Sequence, residues 1–147
     1  FMKIVEQPDI FLREPTSEVK LPLSVEDQVI IDLMIDKMYK NNGIGLAANQ
    51  VGYARRIFVM DTSTDHNSPK IFINPVIEKL AKEKLTEEEG CLSCPKKLVE
   101  VRRSIYVGLK WTCTHGKEQY KTFYYLPSRV VQHEMDHLNG KLITDLP

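Results

Sequence analysis

The chain has 147 residues, 42% of them hydrophobic and 27% charged, which suits one domain over 1–147 with a single sizeable core. Its 20 Lys and Arg offset 20 Asp and Glu, so no net charge draws it to nucleic acid or an anionic membrane, and neither is an expected partner. No apolar run approaches spanning length, no leader-like segment precedes the first helical pattern, and three cysteines argue against a disulfide framework, so the expected compartment is the cytoplasm.

Phe1 ahead of Met2 reads as a remnant, with Met2 the expected natural start. Pro8, Pro15 and Pro22 make residues 2–23 an extended or turning arm. Ser24 then has the character of a helix N-cap, with Asp27 at the capping-box position. From Val25 to about Lys40 the pattern is helical: Val29, Ile30, Leu33, Met34 and Met38 are apolar, while Gln28, Asp32, Asp36 and Lys40 form a polar stripe. Asn41-Asn42-Gly43 ends that helix. Strands are expected at 56–60 and 71–77, around a polar loop from Thr62 to Lys70. Two more are expected at 99–111 and 119–126, joined by a turn at His115-Gly116. The basic pairs Lys96-Lys97 and Arg102-Arg103 read as solvated faces. A second helix should start near Pro127-Ser128 and stop by Asn139-Gly140. The expected fold is α+β, with mostly antiparallel sheet around a C-terminal metal-binding helix and one N-terminal helix packed against it.

That last helix carries Gln132-His133-Glu134-Met135-Asp136-His137. Two histidines four apart lie on one helix face, where both imidazoles can reach one metal ion. The glutamate beside the first is placed to move a proton on water activated by the metal. A catalytic site usually has three protein ligands and an open position. Downstream, the place of a third histidine is taken by Ile143 and only Asp145 remains as a possible ligand, so the third ligand is expected upstream. The candidates are Cys91, Cys94, Cys113, His66 and His115. His66 and His115 read as surface histidines, and Cys113 as a small buried hydrophobe within a strand. Cys91 stands apart because Glu89-Gly90-Cys91-Leu92-Ser93 forms a motif. Two rival readings remain. An HExxH protease would share the helix but leave this motif unexplained. A closed Cys2His2 module, using Cys91 and Cys94 with both histidines, would leave Glu134 without a task.

Gly43-Ile44-Gly45-Leu46-Ala47-Ala48-Asn49-Gln50, Glu89 to Ser93 and Gln132 to Gly140 resemble the three signature motifs of the peptide deformylases, in the family's order. The resemblance spans nearly the whole chain. It implies an α+β fold, and one divalent metal ion held by Cys91, His133 and His137. It implies iron(II) in the cell, with zinc, nickel or cobalt also accepted by such a donor set. It implies removal of the formyl group from the N-terminal formylmethionine of new polypeptides, which would be the partners. Glu134 would be the general base turned general acid. The Gln50 side-chain amide and the Leu92 backbone N–H would donate to the developing oxyanion. Gly45 is the family's position for contact with the peptide chain.

Gly43 and Gly45 allow backbone to come close to substrate, and Gly90 is counted with them. Ile44, Leu92 and Val130 are candidates for an apolar pocket around the methionine side chain, with an ordinary place in the core as the alternative for each. Glu89 and Asp136 are candidates to orient the histidine ligands, with a solvated or salt-bridging role as the alternative for Asp136. Arg129, four residues before His133, stands where the family more often has an apolar residue. It is expected at the pocket rim, snorkelling to solvent, or attracting a carboxylate. Many bacterial members continue into a C-terminal helix implicated in ribosome docking. This sequence stops soon after the metal-binding helix, which argues against that mode of transient ribosome association and suggests a compact organellar or phage-type member.

Overall fold

The computed structural model describes residues 2–146; Phe1, with the remnant reading attached to it, and Pro147 lie outside the described residues. The N-terminal arm is largely irregular and includes one short 3-10 turn at Ile10–Arg13. Helix α1 spans Val25–Lys40, and the Ser24 side chain accepts the Asp27 N–H at 3.0 Å, as the sequence signals. Its buried face is Ile30, Ile31, Met34 and Met38, whereas Val29 and Leu33 are 50% and 43% exposed. The apolar face is therefore rotated from the expected one, toward Ile31.

Seven strands follow: β1 Gly45–Ala47, β2 Ile57–Met60, β3 Lys70–Leu80, β4 Lys84–Cys91, β5 Cys94–Ser104, β6 Tyr106–Thr112 and β7 Glu118–Tyr124. Helix α2 is Leu126–Leu138, with Pro127 in its first turn. One sheet has the order β1-β2-β3-β6-β7, and β4 with β5 forms a separate hairpin; every strand pair is antiparallel. Period-two alternation divides the core. Ile57, Val59 and Ile73 join the α1 residues in one cluster, whereas Phe58, Met60 and Phe72 join Val131, Met135 and Leu138 of α2 in another. The five-stranded sheet thus has a helix on each face.

The expected strand 99–111 is two strands, in different sheets, parted at Ile105. The physical reason lies in α2. Gln132 accepts the Ser104 N–H at 3.1 Å and donates to the Ser104 carbonyl at 2.9 Å, so a side chain replaces a neighbouring strand there. Strand β4 was not expected at all. Its residues are mostly exposed and charged, so it lacks an apolar alternation to announce it. Cys113 also differs from expectation: it is half-buried just past the end of β6. Gly140 has φ +77 and faces Arg13, whose carbonyl would lie 2.6 Å from a Cβ at that position. Only glycine ends α2 here without displacing the arm. Among the described residues no helix is long and apolar enough to cross a membrane.

Candidate metal centre and active-site cleft

Three elements converge at one end of α2. The helix supplies His133, Glu134 and His137; the end of β4 supplies Cys91; and the short 3-10 turn after β1, Ala48–Val51, supplies Gln50. The Nε2 atoms of His133 and His137 are 3.1 Å apart, and Cys91 Sγ is 3.3 Å from His137 Nε2. All three donor atoms lie within 4.8 Å of one another. Donors held at about 2.0–2.3 Å from a tetrahedral cation would be about 3.3–3.6 Å apart, so these residues fit a single metal ion. Cys94 and the two surface histidines stay outside the group, and His66 and His115 are exposed as expected.

A chain of charge holds this arrangement. His133 Nδ1 donates to Glu89 at 2.9 Å, which leaves Nε2 facing the other donors. Arg103 grips the same carboxylate with two bonds of 2.9 and 3.0 Å, and Arg129 adds one of 2.6 Å. Burial alone would raise the Glu89 carboxyl, but its bonds to His133 and Arg103 outweigh burial and lower it to about 2. Burial likewise pushes His133 down, yet hydrogen bonds to Cys91 and Glu89 overcome it and raise the imidazole to about 10. His137 has no such anchor; burial and the neighbouring His133 lower it well below the ordinary value. The acids around the site call for positive charge. A bound cation would supply it.

Glu134 is 3% exposed and its Oε1 has no hydrogen-bond partner. Desolvation raises its carboxyl to about 7, against the pull of His133 and Arg103. Its other oxygen lies against Gly45, where a Cβ would come within 2.5 Å. Gln50 is fixed by its own turn: Oε1 accepts the Ala47 N–H at 2.9 Å, so Nε2 faces Ser93 at 3.1 Å and Cys91 Sγ at 3.7 Å. A cavity of about 610 Å³ opens beside these groups. Gly43, Ile44, Gly45, Gly90, Leu92 and Val130 all border it. Ile44, Leu92 and Val130 also pack against the core clusters, so each has both an inner and a cavity-facing neighbour. A Cβ on Gly90 would make only an ordinary 3.5 Å contact, so its place in the wall does not demand glycine.

Three charged positions are defined by their contacts. Arg129 borders the cavity but is 8% exposed, so it does not snorkel to solvent. The carboxylates it attracts are the chain's own Glu89 and Glu87, and it also donates to the carbonyls of Val101 and Leu85 at 2.9 and 2.7 Å. It stitches the β4–β5 hairpin to α2. Asp136 reaches no histidine; it pairs with Arg103 at 2.6 Å and so acts on Glu89 only through that residue. Arg103, read from sequence as part of a solvated basic pair, is 6% exposed at the centre of the network. No local pattern distinguishes it from exposed Arg102; its three bonds to Glu89 and Asp136 come from β4 and α2.

The polypeptide deformylase family model matches residues 1–146. The chain belongs to the peptide deformylase family. It is 41% identical to the peptide deformylase of Buchnera aphidicola subsp. Cinara cedri, over 97% of this chain and 95% of that one. It is 43% identical to that of Pseudothermotoga lettingae, over 94% and 78%. Among solved structures, a probable peptide deformylase from synechococcus phage S-SSM7 superposes with a TM-score of 0.94 at 36% identity, covering 100% of both chains. The Thermotoga maritima peptide deformylase gives 0.93 at 39% identity, covering 99% and 97%. The α+β fold is the family's, and the chain is a hydrolase that removes the N-formyl group from nascent polypeptides.

Proposed function

We propose that deformylation here runs through Cys91, His133 and His137 as ligands of one divalent cation, with Glu134 moving the proton. The carrying observation is the donor trio within 4.8 Å beside a buried carboxyl raised to about 7. A formamide resists neutral water; when bound, a divalent cation lowers the pKa of water and polarises a carbonyl as a Lewis acid. Glu134, buried beside the donor trio, accepts the proton from water and delivers it to the leaving amine. Such a group contributes typically ~10²–10⁴ in rate. The Gln50 amide and the Leu92 N–H donate to the formyl oxygen as it gains charge. Each is rigid before substrate arrives: Gln50 by its bonds to Ala47 and Ser93, Leu92 by its place in the tight turn between β4 and β5. Ile44, Leu92 and Val130 receive the methionine side chain, with Gly43, Gly45 and Gly90 giving the peptide backbone room. Glu89 orients His133, while Arg103, Arg129 and Asp136 hold Glu89.

Iron(II) is the cation proposed for the cell, where the chain acts on N-formylmethionyl nascent chains in the cytoplasm. One sulfur and two imidazoles also accept zinc, nickel or cobalt. The test is anaerobic purification with metal analysis, followed by assay on paired peptides. The formyl-Met peptide should lose formate, and its unformylated twin should remain intact. Glu134→Gln should keep the metal and lose ~10²-fold or more in turnover. Cleavage of an internal peptide bond, or full turnover by Glu134→Gln, would overturn the reading.

A further inference from the structure

One sequence feature is unused by the activity. Cys91-Leu92-Ser93-Cys94 has two thiols, but only Cys91 belongs to the donor trio. Cys91 and Cys94 are register partners across the two-residue turn that joins β4 to β5. Opposed residues of an antiparallel pair have Cα atoms about 4.5–5.5 Å apart, inside the ~4.4–6.8 Å range that a disulfide spans. The two thiols differ in exposure. Cys91 borders the cavity, whereas Cys94 is 1% exposed and clustered with Leu12, Val101, Leu142 and Ile143. An oxidant entering the cleft meets Cys91 first and cannot reach Cys94 directly.

We propose that Cys94 is a resolving cysteine, which converts peroxide attack on Cys91 into a reversible Cys91–Cys94 disulfide that releases the metal. In the first step the Cys91 sulfur attacks hydrogen peroxide. The O–O bond breaks, an S–O bond forms, and hydroxide leaves, giving a sulfenic acid. In the second step the Cys94 sulfur attacks that sulfur. The S–S bond forms, the S–O bond breaks, and the hydroxyl departs with the Cys94 proton as water. The peroxide is reduced and the two thiols are oxidised. Cys91 then has no thiolate charge for the cation, and the grip on it is lost. Capture by Cys94 stops the sulfur from advancing to sulfinic acid, which ordinary thiols do not reverse. This rests on Cys91 as a ligand of the proposed metal site.

The experiment uses the full chain loaded with redox-inert zinc and exposed to hydrogen peroxide. Released zinc is followed with a chromogenic chelator, and products by intact mass and peptide mapping. Wild type and Cys113→Ser should release zinc, lose two hydrogens and yield a linked Cys91–Cys94 peptide; dithiothreitol should then restore full zinc binding. Cys94→Ser should instead gain oxygen atoms on Cys91 and recover no zinc binding after reduction. Oxygen addition at Cys91 in the wild type, or linkage to Cys113, would overturn the proposal. If Cys94→Ser does not fold, the wild-type peptide map alone decides. Zinc stoichiometry before peroxide tests the ligand reading separately, because the disulfide map does not depend on it.

Discussion

Replacing Arg103 by methionine strikes the network beneath the metal ligands without touching a donor atom. Arg103 and Glu89 side chains are 7% and 6% exposed, so their pairing is made out of water. Removing one partner of a buried pair costs ~3–5 kcal/mol because the other charge is stranded. Here the low end applies. Glu89 keeps Arg129 at 2.6 Å and His133 at 2.9 Å, and Asp136, at 26% exposure, can turn to solvent. A loss of ~3 kcal/mol lowers Tm by about 6–12 °C for a domain of this size. The pH dependence carries the diagnosis. The Glu89 carboxyl is depressed from 4.5 to about 2, so its contribution is fully present above 4.5 and disappears as pH falls toward 2. Wild type and Arg103→Met should therefore differ most near neutrality and converge through that acid window. Urea unfolding of the metal-depleted chain at several pH values measures this. Adding Glu89→Gln should recover part of the loss, with a coupling on the order of 2 kcal/mol between the two positions. Costs that add within ~0.5 kcal/mol, or a gap unchanged by acid, would refute the buried pair as the support of His133.

Other sites yield sharper functional readouts. Gly45→Ala places a Cβ 2.5 Å from a Glu134 oxygen and 2.8 Å from Val130, so kcat should fall by ~10²-fold while the far-UV spectrum stays unchanged; normal kcat would show that the carboxylate does not depend on this approach. Cys91→Ser exchanges a soft thiolate for a hard hydroxyl, and dialysis against equal zinc and manganese should show less zinc retained than in wild type. Equal zinc occupancy would remove Cys91 from the ligand set. Tyr39→Phe deletes a 2.5 Å hydrogen bond to Asp61, whose carboxylate also holds the Ser63 and Ser68 N–H groups at 2.9 and 3.0 Å. Thermal unfolding should show a loss of ~1.5 kcal/mol with kcat unchanged, since one charged bond of several is removed.

What could be read in the residues has a local cause. The Ser24 cap, the start and end of α1, the Gly140 stop and the one-face placement of His133 and His137 depend on backbone periodicity and end effects that a short segment carries within itself. The same is true of strands β2 and β3, whose apolar content marks them. Arg103 beside Arg102, the charged strand β4, and the division of 99–111 into two sheets had no such local mark. Each is settled by a partner outside its own segment: Glu89 and Asp136 for Arg103, pairing with β5 for β4, Gln132 for Ser104. The sequence by itself determined which donors exist and that two of them share a helix face. Only the tertiary structure brought Cys91 to within 3.3 Å of His137, buried Glu134, and turned Arg129 away from solvent onto Glu89. Distances and desolvation arise between segments, and the energy of a charge depends on what surrounds it rather than on its neighbours along the chain.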